Sequence, residues 1–544
     1  MDPFYMAALL VSIVLASIFW YIKSSTRVAG KTPPLPPGPR GLPILGYLPF
    51  LRSNILQQFT DLARQYGPIY KLRLGSKLTV VIASPSLIKQ VVRDQDPIFA
   101  DRDATVAALV LSRGANDIAF SPQNSNWRFM RKILAREMQS NSSLEASYEL
   151  RKDEVRNAIR HVYSKIGEPI DVGELAFVSD LNLVMNLLWG GKIEGEEGKR
   201  LGAEFRTVIS KVNDLIGTPN VSDYFPALSR FDLQGIKKKM QTLMESVDKI
   251  LDDVIAEHER PGGVKNEGKK DFVQILLELK KNEDVEMSNI TMRQLKAMLQ
   301  NLIFGGTDTT ATTIELAFAE LMNNPEVMYK VQKELSDVVG TNTLVEEFHL
   351  PKLYYLQAVL KETMRLHPPV PFLVPRSPNQ SSTIGGYTVP KNTRVFINVW
   401  AIQRDPSIWD NPMEFRPDRF FINPEKWDFS GNNFHYLPFG SGRRVCPGLP
   451  LAERMVTYLL ASFLHSFDWK LREGEKYDMS ERFGIVLRKN IPLVAIPSPS
   501  ATLAKMTQFQ GQARRIPGES SPMLKAVSWF SKTERNSMGS KNYT

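Results

Sequence analysis

The chain has 544 residues, 43% of them hydrophobic, and 68 lysines and arginines against 58 aspartates and glutamates give a formal net charge of +10. That length can bury a large core, and the single cysteine excludes an intrachain disulfide and argues against a small secreted scaffold. The basic residues form no compact run with interleaved aromatics, which argues against nucleic acid as a partner and favours an acidic protein or an anionic membrane.

An uncharged apolar run at 4–22 predicts a transmembrane anchor. At ~1.5 Å rise per residue it crosses most of a ~30 Å hydrocarbon layer. Asp2 precedes the run and basic residues from Lys23 onward follow it, so the bulk of the chain is expected in the cytosol. The same order disfavours the alternative, a cleaved signal peptide. Residues 23–40 predict a basic, proline-rich linker, which is stiff because proline cannot continue a helix.

The stretch 41–498 has the patterns of one large folded domain. Alternating apolar and polar residues over 69–84 predict short strands. A Gly-, Ala- and Ser-bearing loop spans 99–120. Beyond it, Trp127 and Arg131 lie four apart, on one face of a predicted helix, which taken alone indicates no more than a packing contact.

A long helix is predicted around the hexapeptide 305–310, because apolar residues follow helical spacing on both sides of it. Gly305 and Gly306 would each cost about 1 kcal/mol relative to alanine inside a helix. That cost predicts that something approaches the backbone there. The Thr309 hydroxyl can bond back to the Gly305 carbonyl, so we expect the helix to bend or open locally.

Two further elements approach the cysteine. Glu362 and Arg365 lie three apart in a predicted helix, 356–366, that a proline pair ends, and Arg419 follows in a Pro-x-Arg-Phe pattern. A lone Glu-x-x-Arg pair is often exposed and contributes little. The segment 371–376 predicts a strand edge, and 483–486 predicts a turn.

The only cysteine, Cys446, lies in a glycine- and arginine-rich loop directly before an apolar predicted helix. The helix start and the charges of Arg443 and Arg444 favour a thiolate, which is a soft donor suited to iron. The alternative is that a lone cysteine is a small buried hydrophobe. Zinc is poorly supported, since no second cysteine exists and the histidines lack ligand spacing. The polar, basic residues 499–544 predict a disordered extension.

Together these motifs resemble the cytochrome P450 monooxygenases over residues 33–498. The haem-thiolate signature Phe-x-x-Gly-x-Arg-x-Cys-x-Gly matches at Phe439, Gly442, Arg444, Cys446 and Gly448. The hexapeptide 305–310 matches the family's (Ala/Gly)-Gly-x-(Asp/Glu)-Thr-(Thr/Ser) motif. The resemblance implies a mainly helical, α+β fold with a small β region, and haem b between the long helix and the cysteine loop.

The resemblance also assigns roles to residues. Cys446 is the expected iron ligand, and the other expected haem contacts are Trp127, Arg131, Arg376, Phe439 and Arg444. Thr309 would hold a proton-donating water beside dioxygen, and Asp308 would pass protons from solvent. Glu362, Arg365 and Arg419 would form a buried network under the haem pocket. The expected substrate pocket is apolar and consists of Leu109, Val110, Ile303, Phe304, Leu373, Val374 and Ile485.

In its hinge and signature the chain is similar to plant endoplasmic-reticulum members of the family, above all to a branch that oxidises sesquiterpenes and other terpenoids. Hydroxylation of a small lipophilic compound with dioxygen and NADPH electrons is therefore expected. The electrons would come from NADPH-cytochrome P450 reductase, with cytochrome b5 as a second donor, and the docking surface would include Arg128, Lys132 and Arg136. Alternatives are a flavonoid hydroxylase, a haem-thiolate isomerase or dehydratase, and a non-catalytic haem protein. Thr309 and Asp308 favour oxygen activation over the alternatives that do not hydroxylate.

Overall fold

The computed structural model describes residues 33–190, 195–260, 270–281, 290–475 and 477–504, together with Tyr5 and Ser12. Apart from those two residues, the predicted anchor at 4–22 lies outside the described ranges. So do residues 23–32 of the predicted linker and residues 505–544 of the predicted extension.

The described chain is mainly helical, as predicted. The helices are α1 Ile55–Tyr66, α2 Pro85–Lys89, α3 Asp96–Phe99, α4 Val106–Leu111, α5 Ser125–Glu137, α6 Asn141–Ala146, α7 Tyr148–Tyr163, α8 Val172–Trp189, α9 Gly195–Gly217, α10 Val221–Tyr224, α11 Ile236–Glu259, α12 Phe272–Lys281, α13 Met292–Asn323, α14 Pro325–Val339, α15 Tyr354–Leu366, α16 Val399–Ile402, α17 Asp418–Phe421 and α18 Leu449–Ser466.

The strands are short, as expected for a small β region. They are β1 Ile69–Leu74, β2 Lys77–Ile82, β3 Asp101–Arg102, β4 Ile170–Asp171, β5 Arg376–Ser377, β6 Ser382–Ile384, β7 Tyr387–Val389, β8 Arg394–Ile397, β9 Phe467–Lys470, β10 Glu481–Arg482, β11 Arg488–Lys489 and β12 Val494–Pro499. The largest sheet has the order β1-β2-β8-β5-β3, in which β2 and β8 run parallel.

Two helices form the centre of the main core. Helix α13 starts at a capping box, in which the Thr291 side chain accepts from the Gln294 backbone and the Gln294 side chain accepts from the Thr291 backbone. Helix α8 packs along it, with Val184 close to Gly306 and Gly173 close to Glu315. Among the described residues, only α8 is long and apolar enough to cross a membrane, but 78% of that stretch is buried inside the protein. It is therefore a core helix.

Both ends of the predicted domain extend further than its predicted limits. Residues 33–40 of the linker pack on the sheets, since the Thr388 N–H donates to the Pro34 carbonyl (2.8 Å) and the Lys71 N–H to the Pro37 carbonyl (2.7 Å). At the other end, a helical turn at 501–504 buries Leu503, which is 1% exposed. Residues 33–40 of the predicted linker and residues 499–504 of the predicted extension thus pack with the folded domain.

Candidate active site

The cysteine loop is shaped by two glycines in the left-handed region. Gly440 has φ +73° and Gly442 has φ +66°. A Cβ on Gly442 would lie 2.3 Å from the Val92 carbonyl oxygen, so only glycine fits there. The turn is closed by the Cys446 N–H, which donates to the Phe439 carbonyl at 2.9 Å. The Phe439 ring makes an edge contact with Phe429, with 5.2 Å between ring centroids.

The surroundings of the Cys446 thiol differ in part from the sequence-based expectation. Burial raises the pKa of the thiol, while the N–H groups of Gly448 and Leu449 and the Arg131 guanidinium act to lower it. The helix start thus contributes as expected, but the nearby cation is Arg131, and neither Arg443 nor Arg444 acts on the sulfur. Because burial dominates, the thiolate needs a further positive charge at the sulfur. A bound metal ion provides such a charge.

Arginine side chains gather beside this loop. Strand pairing places Arg102 directly opposite Arg376, although like charges opposite one another destabilise a sheet. Burial and the guanidiniums of Arg444, Arg376 and Arg131 lower the pKa of Arg102. Burial, Arg376 and Arg131 likewise lower the pKa of Arg444, to about 10. The cluster therefore carries more positive charge than its neighbours balance.

This arginine cluster fits the carboxylates of a haem. Asp96 pairs with Arg376 at 2.9 Å, and Asp117 partly offsets the charge on Arg102 and Arg444. Guanidinium groups bind planar carboxylates well, so two propionates at this place would relieve the remaining repulsion. A half-buried Cys446 on a glycine-shaped loop would supply a soft donor to the haem iron. Arg102 was not predicted, because a two-residue strand has no periodic signal in the sequence, and Asp96, which begins the four-residue helix α3, was not predicted either.

Trp127 has a different contact from the one predicted. Its single N–H donates to the Ile118 carbonyl at 3.1 Å, so it supports the loop before α5 and is not directed to an anion. The Arg444 guanidinium stacks on the Trp127 ring, 4.3 Å from the ring centroid. Arg131 donates to the Val445 carbonyl at 3.0 Å and so ties α5 to the cysteine loop. Arg376 donates to the Ser441 carbonyl at 2.7 Å and so ties β5 to the cysteine loop.

The expected threonine contact is present in α13. The Thr309 hydroxyl donates to the Gly305 carbonyl at 2.8 Å. The helix is nevertheless continuous through the motif, so the expected local opening is absent. Gly305 is exposed, and a Cβ built on it would meet no atom within 4 Å. The helix thus offers open space at its backbone without breaking.

Asp308 is buried beside Thr309 and is held by two neighbours. Its carboxylate lies 2.6 Å from Arg488 of β11 and accepts from the Asn213 side chain of α9 at 2.8 Å. Burial raises the pKa of Asp308, and Arg488 offsets part of that effect. The contacts with α9 and β11 could not be predicted, because both partners are far away in the sequence.

The three residues of the predicted network are joined. Arg365 donates to the Glu362 carboxylate at 2.7 and 2.9 Å, and both side chains are 0% exposed. Arg419 donates to the same carboxylate at 3.0 Å. Arg365 also donates to the carbonyls of Gln403 and Pro412, both at 2.7 Å. Every buried charge here has a partner, so the network can stabilise the fold.

The predicted pocket residues divide into three groups. Half-buried residues that border the cores are Val110, Phe304, Leu373, Val374 and Ile485. Leu373 has φ +51° and approaches Gly440 of the cysteine loop. Leu109 is 42% exposed, on the outside of the short helix α4 that the predicted loop contains. Ile303 is 0% exposed and packs in the main core, so its assignment to the pocket wall stays a prediction.

Comparisons with known proteins agree with this geometry. The sequence model of the family described as Cytochrome P450 matches residues 36–495. Cytochrome P450 76C1 of Arabidopsis thaliana is 38% identical over 87% of this chain and 93% of its own length. The ferruginol synthase of Salvia miltiorrhiza is 37% identical over 89% and 98% of the two chains. The flavonoid 3',5'-hydroxylase CYP75B138 of Crocosmia x crocosmiiflora is 38% identical over 90% and 95%.

Solved structures confirm the fold. A zebra fish cytochrome P450 determined with progesterone matches with a TM-score of 0.71 and 26% identity, over 82% of this chain and 99% of that one. With its fold and its residues 36–495 in agreement, this chain belongs to the cytochrome P450 family: it is a haem-thiolate monooxygenase that takes electrons from a reductase and acts on a small lipophilic compound.

Proposed function

We propose that this enzyme hydroxylates a terpenoid at the cytosolic face of the endoplasmic reticulum, with NADPH-cytochrome P450 reductase as its electron donor. The observation that carries the substrate class is the full-length similarity to ferruginol synthases, whose product is a terpenoid. They come from Salvia miltiorrhiza and Isodon rubescens and are 37% and 36% identical to this chain. The alternative, a flavonoid substrate, is supported by the 38% identity to a flavonoid 3',5'-hydroxylase.

An apolar substrate suits the half-buried residues near the site. Val110, Phe304, Val374 and Ile485 offer no charge and no hydrogen-bonding side chain. A ligand without many polar groups is therefore favoured, because a buried polar group without a partner costs free energy. A terpene hydrocarbon fits this requirement better than a flavonoid, which carries several hydroxyl groups.

Cys446 would hold the iron of a bound haem and the arginine cluster its carboxylates, and the haem would supply the redox chemistry. The chain itself manages protons. The Thr309 hydroxyl donates a hydrogen bond to the Gly305 carbonyl, so the hydroxyl oxygen can accept a hydrogen bond from a water. Asp308, one residue away, keeps a carboxyl in the interior, and its contacts to Arg488 and Asn213 control its approach to that water.

A membrane location is supported by an exposed apolar surface. Leu42, Ile44 and Leu45 are 46%, 56% and 42% exposed on one segment, and Phe231 and Leu233 are 56% and 63% exposed on another. The turn between β1 and β2 contacts the first segment and the chain that leads to the second, because its N–H groups donate to the Leu45 carbonyl (3.0 Å) and to the Tyr224 carbonyl (2.9 Å). Such a surface after a predicted anchor suits a bilayer.

The proposal is tested by product formation. Yeast microsomes with this chain and a plant reductase would be given geraniol, valencene, abietatriene and naringenin, and products would be identified by mass spectrometry. We expect NADPH-dependent hydroxylation of a terpenoid, with NADPH consumed in proportion to product. Turnover of naringenin alone would contradict the terpenoid proposal and indicate a flavonoid hydroxylase. Product without NADPH would indicate an isomerase or dehydratase.

Cys446→Ser is the control for the haem assignment. It should abolish the red-shifted Soret band of the reduced carbon monoxide complex and all hydroxylation. A protein that keeps that band without Cys446 would contradict the assignment.

A further inference from the structure

The segment between α4 and α5, residues 112–124, lies between α13 and the arginine cluster in an unusual backbone conformation. Arg113 and Ala115 have φ values of 53° and 59°, in the left-handed region that disfavours side chains. Such conformations persist only where surrounding contacts fix them. Side chains of α13 make three hydrogen bonds to this segment, one through Gln300 and two through Asn301.

Asn301 of α13 clamps the segment at one peptide. Its side-chain oxygen accepts from the Ile118 N–H at 2.8 Å, and its amide donates to the Asp117 carboxylate at 3.1 Å. Asp117 is 0% exposed, and its other oxygen accepts from the N–H groups of Phe120 (2.8 Å) and Ser121 (3.1 Å). One amide and one carboxylate thus fix three backbone N–H groups.

The carbonyl of the same residue, Ile118, faces the arginine cluster. The Ile118 carbonyl accepts from Trp127 at 3.1 Å and from Arg444 at 3.3 Å, and the next carbonyl, of Ala119, accepts from Arg102 at 3.1 Å. Asn301 lies four residues, or about one helical turn, before Gly305. Ile118 therefore connects α13, through its N–H, to the residues expected around the haem carboxylates, through its carbonyl.

We propose that Asn301 is a positioning residue which, through Asp117 and Ile118, fixes the position of this loop between α13 and the arginine cluster and so determines which substrate carbon is presented. Asn301 touches neither of the residues assigned to proton transfer. Its effect on the reaction is through the orientation of the substrate. The proposal rests on the proposed function, because this effect is measured on the hydroxylated products.

The pair permits an exchange experiment. Asn301→Asp places two carboxylates against each other, and Asp117→Asn places two amide groups against each other. The double variant restores every hydrogen bond, because the amide introduced at position 117 would donate to the carboxylate introduced at position 301 while both side chains still accept from the backbone. The matched control is Thr457→Ala, which removes one buried hydroxyl-to-carbonyl bond of 2.7 Å in α18.

Four readouts are compared for wild type, both single variants, the double variant and the control. They are the thermal midpoint, hydrogen exchange of residues 115–122, clotrimazole affinity of the haem-loaded protein, and the ratio of hydroxylated products. Each single variant should speed exchange, weaken clotrimazole and change the product ratio by about tenfold. The double variant should return all three towards wild type, whereas the control should change the thermal midpoint alone.

Single variants that lower the midpoint but keep the product ratio would overturn the proposal, since Asn301 would then only stabilise the fold. A double variant no better than either single variant would also overturn it. If wild type hydroxylates no terpenoid or flavonoid, the proposed function fails, but clotrimazole affinity and hydrogen exchange still decide whether the exchanged pair positions the loop.

Discussion

At the scale of single residues, burial with complete hydrogen bonding distinguishes the Glu362–Arg365–Arg419 network from an ordinary surface ion pair. Glu362 accepts from Arg365, from Arg419 and from the Arg416 backbone N–H (2.8 Å). Removing one buried charge leaves the other without a counter-charge, and this penalty exceeds the net contribution of the intact pair.

Glu362→Gln should therefore lower the free energy of unfolding by about 3–5 kcal/mol and reduce the yield of haem-containing protein. The same protein lot can be assayed by urea unfolding and by the haem absorbance per chain. Arg416→Ala is a suitable control, since the Arg416 side chain is partly exposed and its backbone N–H is retained. A loss of less than about 1 kcal/mol for Glu362→Gln would contradict the role given to the network.

Thr309 allows a prediction about coupling. Thr309→Ala should retain the haem spectrum but release a larger share of NADPH electrons as hydrogen peroxide, because the hydroxyl that holds a water is lost. Thr307→Ala is a matched control: its hydroxyl makes the same type of bond, to the Ile303 carbonyl at 2.7 Å, but it is buried in the core. Full coupling in Thr309→Ala would show that the hydroxyl has no part in proton delivery.

At the scale of elements, α13 is joined to the C-terminal part of the chain by acidic side chains along its second half. Asp308 binds Arg488, and Glu315 accepts from the Leu493 N–H at 2.8 Å. Glu320 lies 2.7 Å from His367, which also contacts Glu481 of β10. The oxygen-side helix is thus held in place by a polar seam as well as by the apolar core.

Glu315 makes part of this seam dependent on pH. Burial raises the pKa of Glu315 from 4.5 to about 7; the Leu493 N–H, Lys489 and Arg206 act against this rise, and Asp171 adds to it. The folded protein therefore binds a proton that the unfolded chain releases, so stability is lost as pH rises from about 4.5 to 7. Over that range Glu315 accounts for a loss of about 3 kcal/mol.

Glu315→Gln keeps the acceptor for Leu493 and removes the titration. The unfolding free energy of this variant minus that of wild type should grow from pH 5 to pH 8, as measured by urea unfolding, because only wild type loses stability as Glu315 ionises. Glu145→Gln, at an exposed position, should leave that difference near zero. A constant difference for Glu315→Gln would show that Glu315 does not titrate in this range.

Contacts within one helical turn could be predicted from the sequence, and contacts between distant segments could not. Glu362 and Arg365, or Thr309 and Gly305, lie within one helical turn, so spacing alone predicts their contact. The resemblance to a family supplied the roles of Cys446 and Asp308. By contrast, Arg102 meets Arg376 through strands of two residues each, too short for any periodic signal. Arg488 reaches Asp308 across 180 residues of sequence.

At the scale of the whole molecule, charge is arranged on the side that carries the cysteine loop. Arg128, Lys132 and Arg136 are all exposed on α5, the helix whose Arg131 contacts the loop. Arg443, within the loop itself, is also largely exposed. The net charge of +10 adds a long-range attraction for an acidic partner. Electron delivery by the reductase should therefore depend on ionic strength.

The rate of haem reduction by the reductase, followed as formation of the ferrous carbon monoxide complex, should fall as salt rises from about 20 to about 500 mM, since the Debye length shortens from about 20 Å to about 4 Å. Arg128→Glu with Lys132→Glu should lower the low-salt rate by about tenfold and flatten its salt dependence. Lys280→Glu with Lys281→Glu, the same charge change on α12, should have a much smaller effect. Equal losses from both pairs would indicate attraction to overall charge alone, and no loss from the α5 pair would place the docking surface elsewhere. Repeating the titration with cytochrome b5 would test whether b5 also donates electrons and whether it uses the same face.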